Sequence, residues 1–121
     1  MIGIGTDLVE LDRFRTVLAR TPSIAERIFS DEERAYADRR SDPTERLAVR
    51  FAAKEAVMKA MGVGLGAFPL RDVEVVRTDA GQPTVTLRGR AAELATERGV
   101  RTWHLTLAHT ENLAHAIAVA L

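Results

Sequence analysis

Apolar residues alternate with small or polar ones at the start of the chain. Ile2, Ile4 and Leu8 fall on one side of an extended segment over residues 2–9, with Gly3, Gly5 and Asp7 on the other, the period of a β-strand. From Leu11 to about Arg20 the spacing becomes helical, with Phe14, Val17 and Leu18 as the expected inner stripe, and Thr21-Pro22 breaks it. A short helical turn over 24–29 follows. Ser30-Asp31-Glu32-Glu33 has the form of a capping box and opens a helix through about Arg39. Asp42-Pro43-Thr44-Glu45 starts the longest helix, with an acidic cap, proline at the first helical position and glutamate at the third. That helix is expected to run to Met61 and stop at Gly62, burying a stripe of Leu47, Phe51, Met58 and Met61.

The pattern then returns to strands. Val73, Val75 and Val76 predict one strand, Asp79-Ala80-Gly81-Gln82-Pro83 a turn, and 84–88 the returning strand. Residues 89–98 predict a short helix ended by Gly99. Over 101–108, Trp103, Leu105 and Leu107 alternate with Thr102, His104 and Thr106, and over 114–121 Ala116, Ala118 and Ala120 oppose His115, Ile117, Val119 and Leu121. The expected fold is α+β, a single domain over residues 1–121 with helices packed on a mostly antiparallel sheet.

Composition narrows the function classes. Lys+Arg and Asp+Glu are both 17, so net charge gives no reason to expect nucleic acid or a membrane as partner. With no cysteine, disulfides and thiol catalysis are excluded. No charged segment followed by a long apolar one opens the chain, and a soluble cytoplasmic protein is the expectation. The basic charge is uneven: all of it is arginine except Lys54 and Lys59, which lie within two turns of one helix.

Those lysines bracket Glu55 in the run Arg50-Phe51-Ala52-Ala53-Lys54-Glu55-Ala56-Val57-Met58-Lys59-Ala60. Glu55 and Lys59 are spaced i,i+4, and the simplest account is a surface ion pair worth a few tenths of a kcal/mol. Asp7 sits in an apolar strand, where an unpaired carboxylate is costly. Either it caps the helix that begins nearby, or it joins Glu55 in holding a magnesium ion completed by phosphate oxygens. Gly62-Val63-Gly64-Leu65-Gly66 follows a helix and lacks the terminal Gly-Lys-Ser/Thr of a phosphate-binding loop, so it reads as a helix C-cap and loop. Of the three histidines, His109 at a strand end is the best placed to touch a ligand; no zinc spacing and no hydrolase triad accompanies them.

These residues carry a resemblance. Gly3-Ile4-Gly5-Thr6-Asp7-Leu8, Arg50-Phe51-Ala52-Ala53-Lys54-Glu55-Ala56 with Lys59-Ala60 and Gly62, and Leu105-Thr106-Leu107-Ala108-His109-Thr110 are similar, in order and across essentially the whole chain, to the motifs of the holo-acyl-carrier-protein synthases, the small bacterial 4′-phosphopantetheinyl transferases. The resemblance implies that fold, and transfer of 4′-phosphopantetheine from coenzyme A to a serine of apo-acyl carrier protein, yielding 3′,5′-ADP. It implies Asp7, Glu55 and Lys59 as catalytic residues, with Asp7 and Glu55 holding Mg²⁺ (or Mn²⁺). Arg50, Lys59, Gly62 and His109 would bind coenzyme A, and Arg13, Arg20 and Arg27 the carrier protein. It further implies a homotrimer with sites between subunits. Two positions depart from the family's pattern: Ala108 replaces a common hydroxyl residue, and Ser23 a basic one. Residue chemistry alone also allows a non-catalytic carrier- or nucleotide-binding module, or a magnesium-dependent phosphohydrolase.

Overall fold

The computed structural model describes all residues, 1–121. In chain order the elements are β1 (Gly3–Glu10), α1 (Leu11–Arg20), α2 (Ser23–Ile28), α3 (Asp31–Ala37), α4 (Thr44–Ala60), a 3₁₀ turn at Leu70–Asp72, β2 (Val73–Arg77), β3 (Pro83–Leu87), α5 (Gly89–Glu97), β4 (Trp103–His109) and β5 (Leu113–Ala120). The expected α+β architecture is present, and every strand pairing is antiparallel. The strands form two sheets, the three-stranded β1-β5-β4 and the hairpin β2-β3.

The alternation in β1 decides what touches what. Gly3, Gly5, Asp7 and Val9 share a face with Ala120, Ala118, Ala116 and Ala114 of β5, and this face packs on α4. A Cβ on Gly3 would lie 2.0 Å from the carbonyl oxygen of Ala60, and one on Gly5 2.0 Å from that of Ala56. The strand therefore lies backbone to backbone on the helix, which only glycine allows. Ala52, Ala53, Ala56 and Ala60 on the helix and the four alanines of β5 are all buried, so the low aromatic content is spent on a thin, close-packed layer.

The helix α4 is buried nearly all round rather than along the single expected stripe: Leu47, Met58 and Met61 are buried, but so are Val49, Arg50, Lys54 and Val57. Sheet packs on one side of it, α1 and α3 on others, as befits a central helix. It starts at Thr44, whose amide donates to the Asp42 carboxylate at 3.0 Å. Beyond its C-cap Met61, Gly62 turns the chain at φ 75°.

Two expectations are corrected. Val17 is not in the inner stripe of α1; Leu11 and Phe14 are buried, while Val17 borders an open cleft left between α1 and α2. The helix α3 ends at Ala37, not near Arg39. Its capping box is as expected: the Glu33 amide donates to Ser30 Oγ at 3.2 Å and the Ser30 amide to Glu33 Oε1 at 2.9 Å.

Candidate functional site

Because α4 lies flush on β1, residues distant in sequence meet at the end of the strand. Asp7, Glu55 and Lys59 line one cleft of about 520 Å³ together with Glu10 and Arg13. Its apolar wall includes Phe14, Val17 and Phe51. Lys59 Nζ donates to Asp7 Oδ1 at 3.1 Å and to the Thr6 carbonyl at 3.0 Å. The surface ion pair expected between Glu55 and Lys59 does not form; the lysine crosses to the strand instead. Asp7 is not a helix cap either, since Glu10 occupies that place and makes no capping bond.

The carboxyl of Glu55 is held above its ordinary range, first by burial and then by the charge of Asp7, with Lys59 pulling the other way. Two carboxylates that repel each other at the mouth of a cleft leave a place where a cation is favourable. No group of three or more acidic or histidine side chains converges in the molecule. Two carboxylates are as many as a hard divalent ion can take when phosphate and water oxygens complete its shell.

Lys54, the other lysine, takes no part. It is fully buried, 2.8 Å from Glu33 Oε1, and also donates to the carbonyls of Leu70 (3.3 Å) and Val73. Glu33 Oε2 accepts from the Val75 amide at 2.9 Å, so this ion pair ties α3, α4 and β2 together. Burial pulls the lysine below its usual range while Glu33 raises it.

Arg50 and His109 meet in a second cleft, of about 210 Å³, beside Arg40, Arg46 and Arg77. Arg50 is 3% exposed, and its Nε has no hydrogen-bond partner. Burial lowers its affinity for the proton more than the charge of Glu33 restores it. His109 Nε2 lies 3.4 Å from Glu45 Oε1, a carboxylate that also approaches Arg40 at 3.7 Å. Gly62 lies outside both clefts, its amide donating to the Lys59 carbonyl at 2.9 Å. Arg40, Arg46 and Arg77 escaped the sequence reading, although one signal was there: Arg46, Arg50 and Lys54 repeat at i,i+4, a row of like charges that disfavours a helix unless something compensates it.

Arg13, Arg20 and Arg27 are all exposed and make no ion pair, whereas the neighbouring Arg15 is bound to Asp12 (2.8 Å) and Asp42 (3.1 Å). The outward face of β1 and β5 carries Ile4 and Leu8, 60% and 64% exposed, beside Leu113, Ile117 and Val119. In their midst Thr6 Oγ1 and His115 Nε2 are hydrogen-bonded at 2.7 Å. His104 and Ala108 lie on the same side of β4. No helix is long and apolar enough to cross a membrane.

Known proteins share this fold. The model of the 4′-phosphopantetheinyl transferase superfamily matches residues 3–118. A holo-(acyl-carrier-protein) synthase of Moorella thermoacetica is 44% identical over 121 residues, covering 100% of this chain and 93% of the relative. The crystal structure of the holo-(acyl-carrier-protein) synthase of Neisseria meningitidis superposes with a TM-score of 0.91 at 32% identity, over 100% of this chain and 98% of that one. A Bacillus anthracis holo-(acyl-carrier-protein) synthase, in complex with CoA (3′,5′-ADP), has a TM-score of 0.82 at 34% identity, over 98% and 95% of the two chains.

Proposed function

Because the chain belongs to the 4′-phosphopantetheinyl transferase superfamily, we propose that it transfers the 4′-phosphopantetheine arm of coenzyme A to a serine of an apo-acyl carrier protein and releases 3′,5′-ADP. The observation that carries this reading is the convergence of Asp7, Glu55 and Lys59 in one cleft whose rim bears Arg13. Phosphoryl transfer asks a protein for positioning and charge neutralisation rather than covalent help, and these residues supply both.

Asp7 and Glu55 would hold Mg²⁺, or Mn²⁺ in its place. Such an ion would supply positive charge against the negative charge that develops on the leaving nucleotide. Lys59 sits where its ammonium exchanges Asp7 for a phosphate oxygen and stabilises the departing nucleotide. Asp7, released from the ammonium, would be free to serve as one of the two carboxylates that hold the cation. Arg50 and His109, with Arg40 and Arg46 beside them, form the cationic end of the donor site. Arg50 precedes Glu55 by five residues, about 7.5 Å along the helix but ~140° around it, so the two clusters face different sides of α4, and a donor would be held with its pyrophosphate on one copy and its 3′-phosphate on the arginine cluster of another. Gly62 lies outside both clefts, so its part in binding coenzyme A would be limited to turning the chain just beyond Lys59.

The unpaired Arg13, Arg20 and Arg27 suit an acidic carrier helix, since unpaired basic side chains accelerate encounter with an acidic partner. The apolar outer face of β1 and β5 supports self-association. Leu8 belongs both to that face and to the rim of the Asp7 cleft, so a second copy seated there would border the site. A homotrimer with sites between subunits fits these features.

The test is incubation with coenzyme A, Mg²⁺ and an apo carrier protein, followed by mass spectrometry of the carrier. A phosphopantetheine adduct on its serine is the expected result. Complex formation without an adduct would identify a binding module, and free phosphopantetheine without an adduct a phosphohydrolase.

A further inference from the structure

One aromatic ring in the arginine-rich cleft has no part in the chemistry described so far. Tyr36, near the end of α3, is the only tyrosine of the chain. The guanidinium carbon of Arg46 lies 4.0 Å from the centre of its ring, that of Arg50 4.4 Å and that of Arg39 5.5 Å. The Tyr36 carbonyl also accepts a hydrogen bond from Arg46 Nη1 at 2.7 Å.

We infer that Tyr36 is a positioning residue of the donor site: its ring is the platform that holds Arg46 and Arg50 for the terminal phosphomonoester of the donor. The inference rests on the reading of this cleft given above. Two guanidiniums one helical turn apart repel each other, and a buried guanidinium normally requires a carboxylate. A carboxylate here would neutralise the arginines and compete with an incoming phosphate. The nearest buried one, Glu33, is already committed to Lys54 and to two backbone amides. Glu45 is engaged with Arg40 and His109.

An aromatic face behaves differently. It attracts a guanidinium and fixes its plane while leaving its charge and its edge donors available. Arg50 shows the result: it is almost wholly buried with its guanidinium carbon over the ring, one Nη donates to the Arg46 carbonyl at 3.4 Å, and its Nε has no partner. The fork of a guanidinium held in one plane matches the oxygens of a phosphate, so a ring that fixes it sharpens recognition. The selectivity that follows is for coenzyme A over 3′-dephospho-coenzyme A.

Steady-state kinetics with the two donors on the wild type, Tyr36→Phe and Tyr36→Leu tests this. Tyr36→Leu is expected to raise the KM for coenzyme A by about tenfold, leaving kcat and the KM for the dephospho donor nearly unchanged. Tyr36→Phe, which keeps the ring, retains the wild-type preference. Tyr36→Met fills similar space without a π face and serves if the leucine variant does not fold. Equal losses with both donors, or none with either, would overturn the role of Tyr36. A wild type indifferent to the 3′-phosphate would instead overturn the reading of the cleft on which the inference stands.

Discussion

The ammonium of Lys59 stands 3.1 Å from the carboxylate of Asp7, across the seam between the longest helix and the first strand. Each group is thus held by something it would release once a polyphosphate and its cation arrive. Asp7→Asn and Glu55→Gln are each expected to lower kcat/KM for transfer by about a hundredfold or more, with partial recovery at high Mg²⁺. Full activity in either variant at ordinary Mg²⁺ would remove that carboxylate from the metal site. Lys59→Ala is expected to bind the carrier normally in surface plasmon resonance yet lose turnover.

Glu55 also predicts a pH dependence of stability. Burial and the Asp7 charge hold its folded pKa above the unfolded value, so the native state keeps a proton that the unfolded chain has released. Between those two values stability falls as pH rises, and at neutral pH the ionised carboxylate weakens the metal-free fold. Thermal unfolding without divalent ions, from about pH 3 to pH 8, should show Glu55→Gln more stable than wild type at the upper end and indistinguishable at the lower. A glutamine variant that is less stable at neutral pH contradicts this account.

The three unpaired arginines should act mainly on encounter. Arg13→Glu, Arg20→Glu and Arg27→Glu are each expected to slow carrier association by roughly tenfold at low salt, with the gap closing as ionic strength screens the pair. Stopped-flow association rates at several salt concentrations measure it. Reversals that change only dissociation, or nothing, would point to a solvated helix face.

Ile4→Lys puts a charge in the centre of the exposed apolar face without touching the α4 side of the strand. It is expected to give a folded monomer by light scattering, with activity lost through disassembly. A variant that stays assembled would show that copies meet elsewhere.

Much of this molecule was legible because its signals are local. Ser30 and Glu33 are three residues apart, and the cap they predict is the one that forms. The alternation of β1 and the small residues of β5 likewise announced their two faces. What local pattern could not show was the partner across the fold. The sequence offers Lys54 no partner of its own; in the fold that partner is Glu33, on another helix. Removing either member of so deeply buried a pair costs about 3–5 kcal/mol. Val17 followed the helical stripe yet faces a cleft, because the following helix folds away and leaves that side open. The grouping of Arg46 and Arg50 on Tyr36 needed three dimensions, since the ring comes from the preceding helix.

The burial of Lys54 has a consequence for anyone who wishes to modify this protein. With Lys54 and Lys59 the only lysines, Lys59 is the sole side-chain amine that solvent reaches, half exposed at the mouth of the cleft. Amine-directed reagents, and acylation from thioesters, therefore have one side-chain target besides the chain terminus. A single fluorophore or cross-linker placed there would report directly from the reaction centre.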